Sequence, residues 1–404
     1  MVGSGNAMTK PKNPRQTTPE ANRAGRFVTH IKGYKAFQPA PLPPEPPLTQ
    51  DEELIYLLGQ ATHAIGKLSG LSAVIPDPDL FVYLYVRKEA LLSSQIEGTQ
   101  CSLEDILNPD AEPISDTAKP QDIEEVSNYV KAMNQGLTRL ARLPVSTRLI
   151  KEIHSTLMLG VRGSAKTPGE FRRSQNWIGR PGANLMTAEF VPPPPDDVDR
   201  LMSDLETFVH QVDRIPPLVK VALIHAQFET IHPFLDGNGR LGRLLITFLL
   251  VHWQVLDKPL LYISYYFKAH RTEYYARLTD IRLRGDWEGW IKFFLRAVYE
   301  SAEMGTQSAT EIHKLMTADR SRFHTEDVSP TTLQVYDQFC REPILTNPTL
   351  VARLESSKPT VQRALEHLQK LGIIKEISGK QRRRRYAYQA YLDILTRDTT
   401  TRIG

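Results

Sequence analysis

A glycine-rich turn between two apolar segments constrains the fold of this chain more than any other feature. Residues 218–231 and 241–253 carry apolar side chains at helical spacing, and residues 236–239 read Asp-Gly-Asn-Gly between them. Glycine and asparagine tolerate the left-handed backbone that other residues avoid, so this tetrapeptide cannot lie inside a helix. The sequence therefore predicts two helices joined by a tight turn, whose successive N–H groups can form an anion site at the start of the second helix.

Polar side chains of complementary chemistry surround this turn. His232 can accept a proton at cellular pH, because the unperturbed pKa of histidine is about 6.5. Asp236 offers hard oxygen atoms to Mg²⁺, which usually binds phosphates together with one or two carboxylates. Arg240 and Arg243 are one helical turn apart and can bind a di- or triphosphate. Alone, His232 or Asp236 would more often belong to an ordinary helix connection, but this combination in one short loop indicates a polyphosphate site with a proton acceptor.

Bulk composition is typical of a soluble protein from a reducing compartment. A length of 404 residues suggests roughly two to three domains. Cys101 and Cys340 are too few for a disulfide framework. The longest apolar run, residues 241–256, is interrupted by Arg243 and is too short to span a bilayer, and no segment resembles a signal peptide. We therefore expect a cytoplasmic protein with no membrane segment, and a net charge of +4 does not by itself imply nucleic-acid binding.

Periodicity and composition divide the chain into five predicted units. Residues 1–36 are polar and lack periodicity, which predicts a disordered tail. Residues 37–125 begin with a proline-rich extended segment and continue as helices, and residues 126–303 form a helical core. Residues 304–328 form a polar linker, and residues 329–394 form a smaller domain. The predicted fold class is mainly α, with a small β-hairpin flap on the core and a C-terminal winged helix-turn-helix.

A glycine-rich stretch interrupts the helical pattern between residues 160 and 195. Its short β-favouring pieces and its position between helices predict a hairpin or flap over the site. Residues 160–167 superficially look like a phosphate-binding P-loop. The residue before Lys166 is alanine instead of glycine and no buried strand precedes the segment, so that interpretation is rejected.

The C-terminal domain carries the most concentrated positive charge. Three short predicted helices followed by a hairpin are typical of a winged helix-turn-helix, with residues 359–371 as the recognition helix. Such a domain binds DNA or another protein, and both alternatives stay open. The candidate DNA contacts are Lys358, Thr360, Gln362 and Arg363 on the helix, with Arg382, Arg383, Arg384 and Arg385 on backbone phosphate.

Residues 232–243 read His-Pro-Phe-Leu-Asp-Gly-Asn-Gly-Arg-Leu-Gly-Arg. This segment resembles the Fic family signature, His-Pro-Phe-x-(Asp/Glu)-Gly-Asn-Gly-Arg-x-x-Arg, and matches it at every defined position. The resemblance covers most of the chain, since residues 37–125 look like the associated N-terminal region and residues 126–303 look like the Fic core. It implies transfer of AMP from ATP to a Ser, Thr or Tyr hydroxyl of a target protein or of the enzyme itself, with Mg²⁺.

The family's functional positions carry over onto this sequence residue by residue. His232 would deprotonate the target hydroxyl, Asp236 would hold Mg²⁺, and Arg243 would bind the γ-phosphate. The α- and β-phosphates would lie on Gly237, Asn238 and Gly239, assisted by Arg240.

Two further sets of residues extend the resemblance beyond the loop. Tyr274 and Leu278 resemble residues that line the adenine pocket, and plain core packing is an equally weighted alternative. The flap edge, with Thr187, Phe190 and Val191, would align the target's main chain by strand addition.

A second motif resemblance lies at residues 93–98, Ser-Ser-Gln-Ile-Glu-Gly, which look like the family's inhibitory pattern (Ser/Thr)-x-x-x-Glu-(Gly/Asn). Ser93 and Glu97 are four residues apart, on one helix face. Such a short pattern by itself is more often a helix end, and the intact loop motif is what favours the inhibitory interpretation. Glu97 would then pair with Arg243 and deny that arginine to the γ-phosphate.

Other functions and states stay open at this stage. One is a DNA-binding transcription regulator with a quiescent Fic domain, and another is removal of AMP, for which Glu97 would orient water. The sequence determines neither the target protein nor the oligomeric state, and a homodimer is one option.

Overall fold

The polypeptide is mostly helical. The structure, a computed structural model, describes residues 22–74, 78–107, 119–180, 182–326, 328–379 and 384–397. Its helices are α1 (Glu52–Val74), α2 (Pro78–Ile96), α3 (Leu103–Leu107), α4 (Pro120–Leu140), α5 (Thr147–Leu157), α6 (Val198–His210), α7 (Pro217–Ile231), α8 (Asn238–His252), α9 (Ser264–Ala269), α10 (Arg271–Arg284), α11 (Trp287–Thr325), α12 (Pro330–Arg341), α13 (Asn347–Leu354), α14 (Lys358–Lys370) and α15 (Gln389–Thr396). Its strands are β1 (Gly25–Thr29), β2 (Lys35–Pro39), β3 (Ile344–Thr346), β4 (Lys375–Glu376) and β5 (Arg385–Ala387).

The helices α7 and α8 lie at the centre of the fold because they are apolar on nearly every side. Every residue of α7 from Leu218 to Ile231 is buried, and α8 is buried from Arg240 to Leu250. A helix without a polar face is stable only in an interior. Helices α2, α4 and α5 pack against α8, whereas α6, α10 and α11 pack against α7. The predicted mainly α fold is confirmed, and this surrounding layer holds the turn between α7 and α8 in place.

The prediction of a disordered tail over residues 1–36 was wrong for the part of it that the structure describes. Strands β1 and β2 form an antiparallel hairpin in which Phe27 is opposite Phe37. Phe37 is fully buried and packs against both Phe27 and Phe190. The Phe37 N–H donates to the Val191 carbonyl at 2.9 Å, and Arg23 donates to the Gly285 carbonyl at 2.9 Å. A hairpin this short is stabilised by packing on the helical body, which its polar composition does not reveal.

The predicted flap is present between α5 and α6, but it contains little regular strand. Ile178 and Phe190 form an antiparallel bridge with backbone hydrogen bonds of 2.8 and 3.0 Å. No strand is assigned to this segment in residues 160–180 or 182–195. The chain after β2 continues across α7, where Gln227 Nε2 donates to the Ala40 carbonyl at 2.8 Å. The proline-rich segment is therefore tied to the helical surface at this point.

The predicted linker over residues 304–328 is helical for most of its length, because α11 continues without a break to Thr325. One stripe of this extension is buried, and Ala309 and Ile312 are 3% and 0% exposed. Nearer the end of α11, Asp319 accepts a hydrogen bond from the Tyr388 hydroxyl. The segment therefore joins the core to the C-terminal unit as a continuous helix.

The C-terminal unit contains α12 to α15 and a three-stranded antiparallel sheet of order β3-β5-β4. Helix α14 packs against α12 and α13, and α15 packs against α11. These elements occupy the range predicted to be a winged helix-turn-helix, and that assignment stays a prediction. Among the described residues, no helix combines the length and the apolar character that crossing a membrane requires.

Candidate active site

The turn after α7 places His232 in a left-handed conformation, with φ 50° and ψ 60°. Arg172, which is 2% exposed, holds this turn from the flap side. Its Nε donates to the His232 carbonyl at 2.9 Å, and its Nη2 donates to the Pro193 carbonyl at 2.6 Å. The Arg172 N–H donates to the Pro233 carbonyl at 2.9 Å. One buried guanidinium thus fixes the histidine relative to the end of the flap, a role that the sequence did not predict.

His232 is half-buried, and its Nδ1 is shielded from solvent and has no hydrogen-bond partner in the described part of the chain. Burial and, after it, the cations Arg282 and Arg172 together lower the pKa of His232 to about 4. The imidazole is therefore neutral near pH 7 and can accept a proton. Arg282 lies on α10, far from the loop motif in sequence, and was not among the predicted site residues.

Within the loop, the Asn238 side chain is used to close the turn. Its Oδ1 accepts from the Phe234 N–H and its Nδ2 donates to the Phe234 carbonyl, both at 2.9 Å. Gly237 has φ 75°, and a Cβ there would lie 2.6 Å from Met158 Sδ, so both backbone and space require glycine. Since the Asn238 amide is engaged, a phosphate contact at this position would come from backbone N–H groups. The first N–H groups of α8 lack intrahelical acceptors and provide such donors.

His154 on α5 is a further residue of the candidate site that the sequence did not predict. The Gly169 N–H donates to its Nδ1 at 2.8 Å, so its Nε2 carries the proton and donates to the Asp236 carbonyl at 3.0 Å. Its ring stacks on Phe234 with a centroid distance of 3.7 Å. Burial lowers the pKa of His154 to about 4, which keeps this tautomer neutral. A histidine on the buried stripe of α5 looks like any core residue, so no sequence signal identified it.

Asp236 and the exposed Lys166 form an ion pair at the mouth of the site. Asp236 Oδ1 accepts from the Gly237 N–H at 2.8 Å, and Oδ2 lies 2.8 Å from Lys166 Nζ. Burial raises the pKa of Asp236, but the hydrogen bond and charge of Lys166, the Gly237 N–H and Arg240 together outweigh it, and the net shift is downward. The described residues contain no group of three or more side chains suited to a metal ion. A single ionised carboxylate still fits Mg²⁺ that is bound mainly through substrate phosphates.

Arg243 is 1% exposed and is held by the end of α2. Its Nε donates to Ser93 Oγ at 2.8 Å, its Nη2 donates to the Ser93 carbonyl at 3.0 Å, and the same Nη2 lies 2.7 Å from Glu97 Oε1. The Glu97 side chain is 34% exposed. Burial raises its pKa, but Arg243 more than compensates, so the pKa of Glu97 lies below its usual value. The predicted contact between Glu97 and Arg243 is therefore present.

The Glu97 carboxylate also lies directly over the first turn of α8. A Cβ added to Gly239 would collide with Glu97 Oε1 and would lie 3.1 Å from Arg243 Nη1. Only glycine leaves room for an anionic group at this point. The carboxylate thus takes the position at the helix N-terminus that a phosphate would otherwise favour.

Arg240, the other arginine predicted for the loop, is buried, and its Nη2 lies 3.5 Å from Met158 Sδ. Tyr274 and Leu278, predicted for the adenine pocket, are 1% and 3% exposed. The Tyr274 hydroxyl is hydrogen-bonded to His225 Nε2 at 2.9 Å, and its ring stacks on Phe267. Both residues belong to the aromatic core, and their contribution to a nucleotide pocket stays a prediction.

The flap residues are already paired in part. Thr187 bonds within its own turn, where its N–H donates to the Asn184 carbonyl at 3.0 Å. Phe190 pairs with Ile178, and the Val191 carbonyl accepts from β2. The Val191 carbonyl is engaged by the N-terminal hairpin, which the sequence did not predict. Alignment of a target strand along Thr187, Phe190 and Val191 stays a prediction.

The candidate DNA contacts are separate from this site. On α14, Lys358 and Arg363 are exposed, whereas Gln362 bonds to Asn347 and Glu366. Thr360 takes part in the helix cap of Ser357. Arg384 and Arg385 are described, and Arg382 and Arg383 lie outside the described residues. DNA binding by this unit stays a prediction.

Comparison with known proteins finds two family matches along the chain. Residues 55–138 match the Fic/DOC family N-terminal profile, and residues 144–250 match the Fic/DOC family profile. The proteins named protein adenylyltransferase Fic from Aedes aegypti and Drosophila grimshawi are 32% and 31% identical to this chain over 146 and 176 residues. These alignments cover 36% and 43% of this chain but only 26% and 32% of those relatives, so the chain spans about a quarter to a third of their length.

A solved structure of a Fic family protein from Desulfovibrio desulfuricans G20 has a similar fold. The superposition has a TM-score of 0.55 and covers 85% of this chain and 97% of that protein, with 21% sequence identity. The shared fold therefore extends well beyond the two profile matches.

Proposed function

Because the chain belongs to the Fic/DOC family, we propose that it is a protein adenylyltransferase. The reaction moves AMP from ATP to a hydroxyl side chain of a target protein or of the enzyme itself. The observation that carries the proposal is a neutral, half-buried His232 in the turn before α8, with two buried arginines in the first turns of that helix. They combine a proton acceptor with a candidate polyphosphate site in one short loop, and the names of the curated relatives agree with that chemistry.

In this proposal, the hydroxyl oxygen attacks the α-phosphorus of ATP and a new P–O bond forms. The bond from the α-phosphorus to the bridging oxygen breaks, and diphosphate leaves with the bonding electron pair. The neutral His232 takes the hydroxyl proton. Arg172 holds the histidine backbone, and His154 holds the Asp236 carbonyl, so the acceptor and the phosphate loop keep a fixed geometry.

The phosphates would lie on the first backbone N–H groups of α8, at residues 237–239, with Arg243 on the γ-phosphate. Asp236 would hold Mg²⁺ after Lys166 moves away, and when bound this cation neutralises phosphate charge. Such transfer depends mainly on positioning and charge neutralisation, which the loop provides without a covalent intermediate.

We further propose that Glu97 inhibits the enzyme in cis. Its carboxylate occupies the place over Gly239 and neutralises Arg243, the two features that a γ-phosphate needs. A carboxylate at this position excludes a phosphate, because the two negative charges repel each other and the carboxylate fills the space. The carboxylate can leave because it stands at the end of α2 and is one-third exposed, whereas Arg243 is fixed in the core.

The test compares the parent protein, Glu97→Gly and Glu97→Gly/His232→Ala after incubation with ATP and Mg²⁺. We expect Glu97→Gly to acquire AMP, detected by intact mass and by radiolabelled ATP, and to exceed the parent strongly. The added His232→Ala change should abolish the adduct while leaving ATP binding measurable. A Glu97→Gly protein that is no more active than the parent would refute the inhibitory role, and an adduct that survives His232→Ala would refute the assigned base.

Removal of AMP is the competing chemistry at the same site, with Glu97 orienting a water molecule. It is distinguished by incubating AMP-modified protein with the parent enzyme. Loss of the adduct that requires Glu97 would favour removal, whereas a stable adduct would favour transfer.

A further inference from the structure

Arg240 is buried beside a carboxylate from the N-terminal region. Its side chain is 4% exposed, and its Nη1 lies 3.6 Å from Oε2 of Glu125 on α4, whose side chain is 2% exposed. The Nε and Nη1 atoms of Arg240 have no hydrogen-bond partner among the described residues. Buried donors are seldom left unused, and a guanidinium in the first turn of a helix is suited to phosphate. Glu125 therefore faces the Nη1 side of an arginine whose Nε has no partner among the described residues.

Glu125 also contacts the turn that carries Glu97. The Thr99 hydroxyl donates to Glu125 Oε2 at 3.0 Å, and Thr99 is 3% exposed. Thr99 follows Glu97 by two residues, and its N–H donates to the Ser94 carbonyl at 3.2 Å. One carboxylate oxygen of Glu125 thus lies between Arg240 and the inhibitory turn.

The two arginines of the loop are neutralised by two carboxylates of different mobility. Glu97 stands at a helix end, is one-third exposed, and is followed by Gly98 with φ 99°. Glu125 lies within α4 and is 1% exposed, so it cannot leave without local unfolding. The second cation near Glu125 is Arg162, whose Nε is 3.5 Å from Oε1 and whose side chain is 62% exposed. Glu125 therefore stays beside Arg240 in the folded protein, whereas Glu97 can move away from Arg243.

We propose that Glu125 is a positioning residue that couples the two arginines. It orients Arg240 toward the phosphates and, through Thr99, anchors the turn that keeps Glu97 on Arg243. The inference rests on the proposed AMP transfer, because it concerns regulation of the same site. Breaking the bond from Thr99 should free the inhibitory turn, and removing the Glu125 charge should impair Arg240.

The first test compares Thr99→Val, which loses the hydroxyl at nearly constant volume, with Thr99→Ser, which keeps it. Each change is made in the full chain and again together with Glu97→Gly. We expect Thr99→Val to raise AMP transfer by about tenfold, the factor that one hydrogen bond to a buried charged group typically gives. Thr99→Ser should stay close to the parent. Once Glu97 is absent, Thr99→Val should change the rate by less than about twofold, because no inhibitory carboxylate is left to anchor.

The second test places Glu125→Gln in the Glu97→Gly background. We expect kcat/KM for ATP to fall by about tenfold or more, since the neutral amide no longer balances Arg240. Affinity for Mg·ATP, measured by calorimetry on the same variants, gives a readout that does not need turnover. Thr99→Val should tighten Mg·ATP binding in the parent and leave it unchanged with Glu97→Gly.

The outcomes separate this inference from the proposed function. If Glu97→Gly transfers no AMP, the proposed function fails, and the calorimetric series still decides the coupling. If Thr99→Val and Thr99→Ser behave alike in both measurements, or if the effect of Thr99→Val persists with Glu97→Gly, the coupling through Glu125 is refuted.

Discussion

The protonation of His232 offers a quantitative test of the proposed chemistry. Burial, Arg282 and Arg172 together lower its pKa to about 4. At pH 5.5, about 97% of such a histidine is neutral, whereas a solvated histidine with a pKa near 6.5 is only about 9% neutral. We therefore expect AMP transfer by Glu97→Gly to stay nearly constant as the pH falls from 8 to about 5.5 and to decline only toward pH 4.

Substitution of Arg282 tests this reasoning, because after burial Arg282 makes the largest contribution to the lowered pKa of His232. Arg282→Met removes the cation and should raise the pKa of His232, so that activity at pH 5.5 falls relative to activity at pH 7.5. Arg282→Lys keeps the positive charge and serves as the matched control. Both changes lose the bonds of Arg282 to the Glu229 carbonyl and Thr230, so a common loss of stability cancels in the comparison.

Initial rates with radiolabelled ATP at saturating Mg²⁺ give the activity profile. An NMR titration of the imidazole Cε1–H, assigned with His232→Asn, gives the pKa directly. An apparent pKa near 6.5 in Glu97→Gly would contradict the reasoning, as would identical profiles for Arg282→Met and Arg282→Lys.

Three further outcomes are expected. Ser93→Ala removes one acceptor of Arg243 and should lower the unfolding free energy by about 1–3 kcal/mol in chemical denaturation, with a smaller rise in AMP transfer than Glu97→Gly gives. Gly136→Ala should destabilise the protein by about 1–3 kcal/mol, measured the same way, because a Cβ there collides with the Phe248 ring. The unfolding free energy should decrease as the pH falls below about 6.5, because three histidines stay neutral in the folded protein but gain protons when it unfolds. Two buried glutamates with a raised pKa act in the opposite direction. Three histidines that gain protons against two glutamates that release them leave a net loss of stability as the pH falls from 6.5 toward 4.5, which urea titrations at the two pH values measure. The groups concerned are His154, His225 and His232, against Glu89 and Glu229.

The parts of the site that the sequence predicted are those encoded within a few residues of each other. Apolar spacing predicted α7 and α8, and the glycines predicted the turn between them, although Asn238 and Gly239 already belong to the first turn of α8. The spacing of Ser93 and Glu97 placed both on one helix face, which is how they meet Arg243. Helical periodicity and turn chemistry are local, so a single sequence contains enough information to predict them.

The wrong predictions involve elements whose stability comes from distant contacts. The first hairpin is polar in sequence, yet Phe37 and Arg23 attach it to residues 190 and 285. The helical form of residues 304–325 was not predicted either, because the end of α11 contacts a unit that follows it in the chain. The composition of a segment describes that segment alone, whereas its order depends on how it packs against other parts of the chain.

The sequence by itself determined the loop, its proton acceptor and the residue that opposes Arg243. Only the tertiary structure decided what surrounds them. Arg172 fixes the histidine backbone from 60 residues away, and Arg282 helps to keep its imidazole neutral from 50 residues away. Glu125 meets Arg240 across more than a hundred residues. Protonation and orientation depend on burial and on neighbouring charges, and these exist only once distant parts of the chain have packed together.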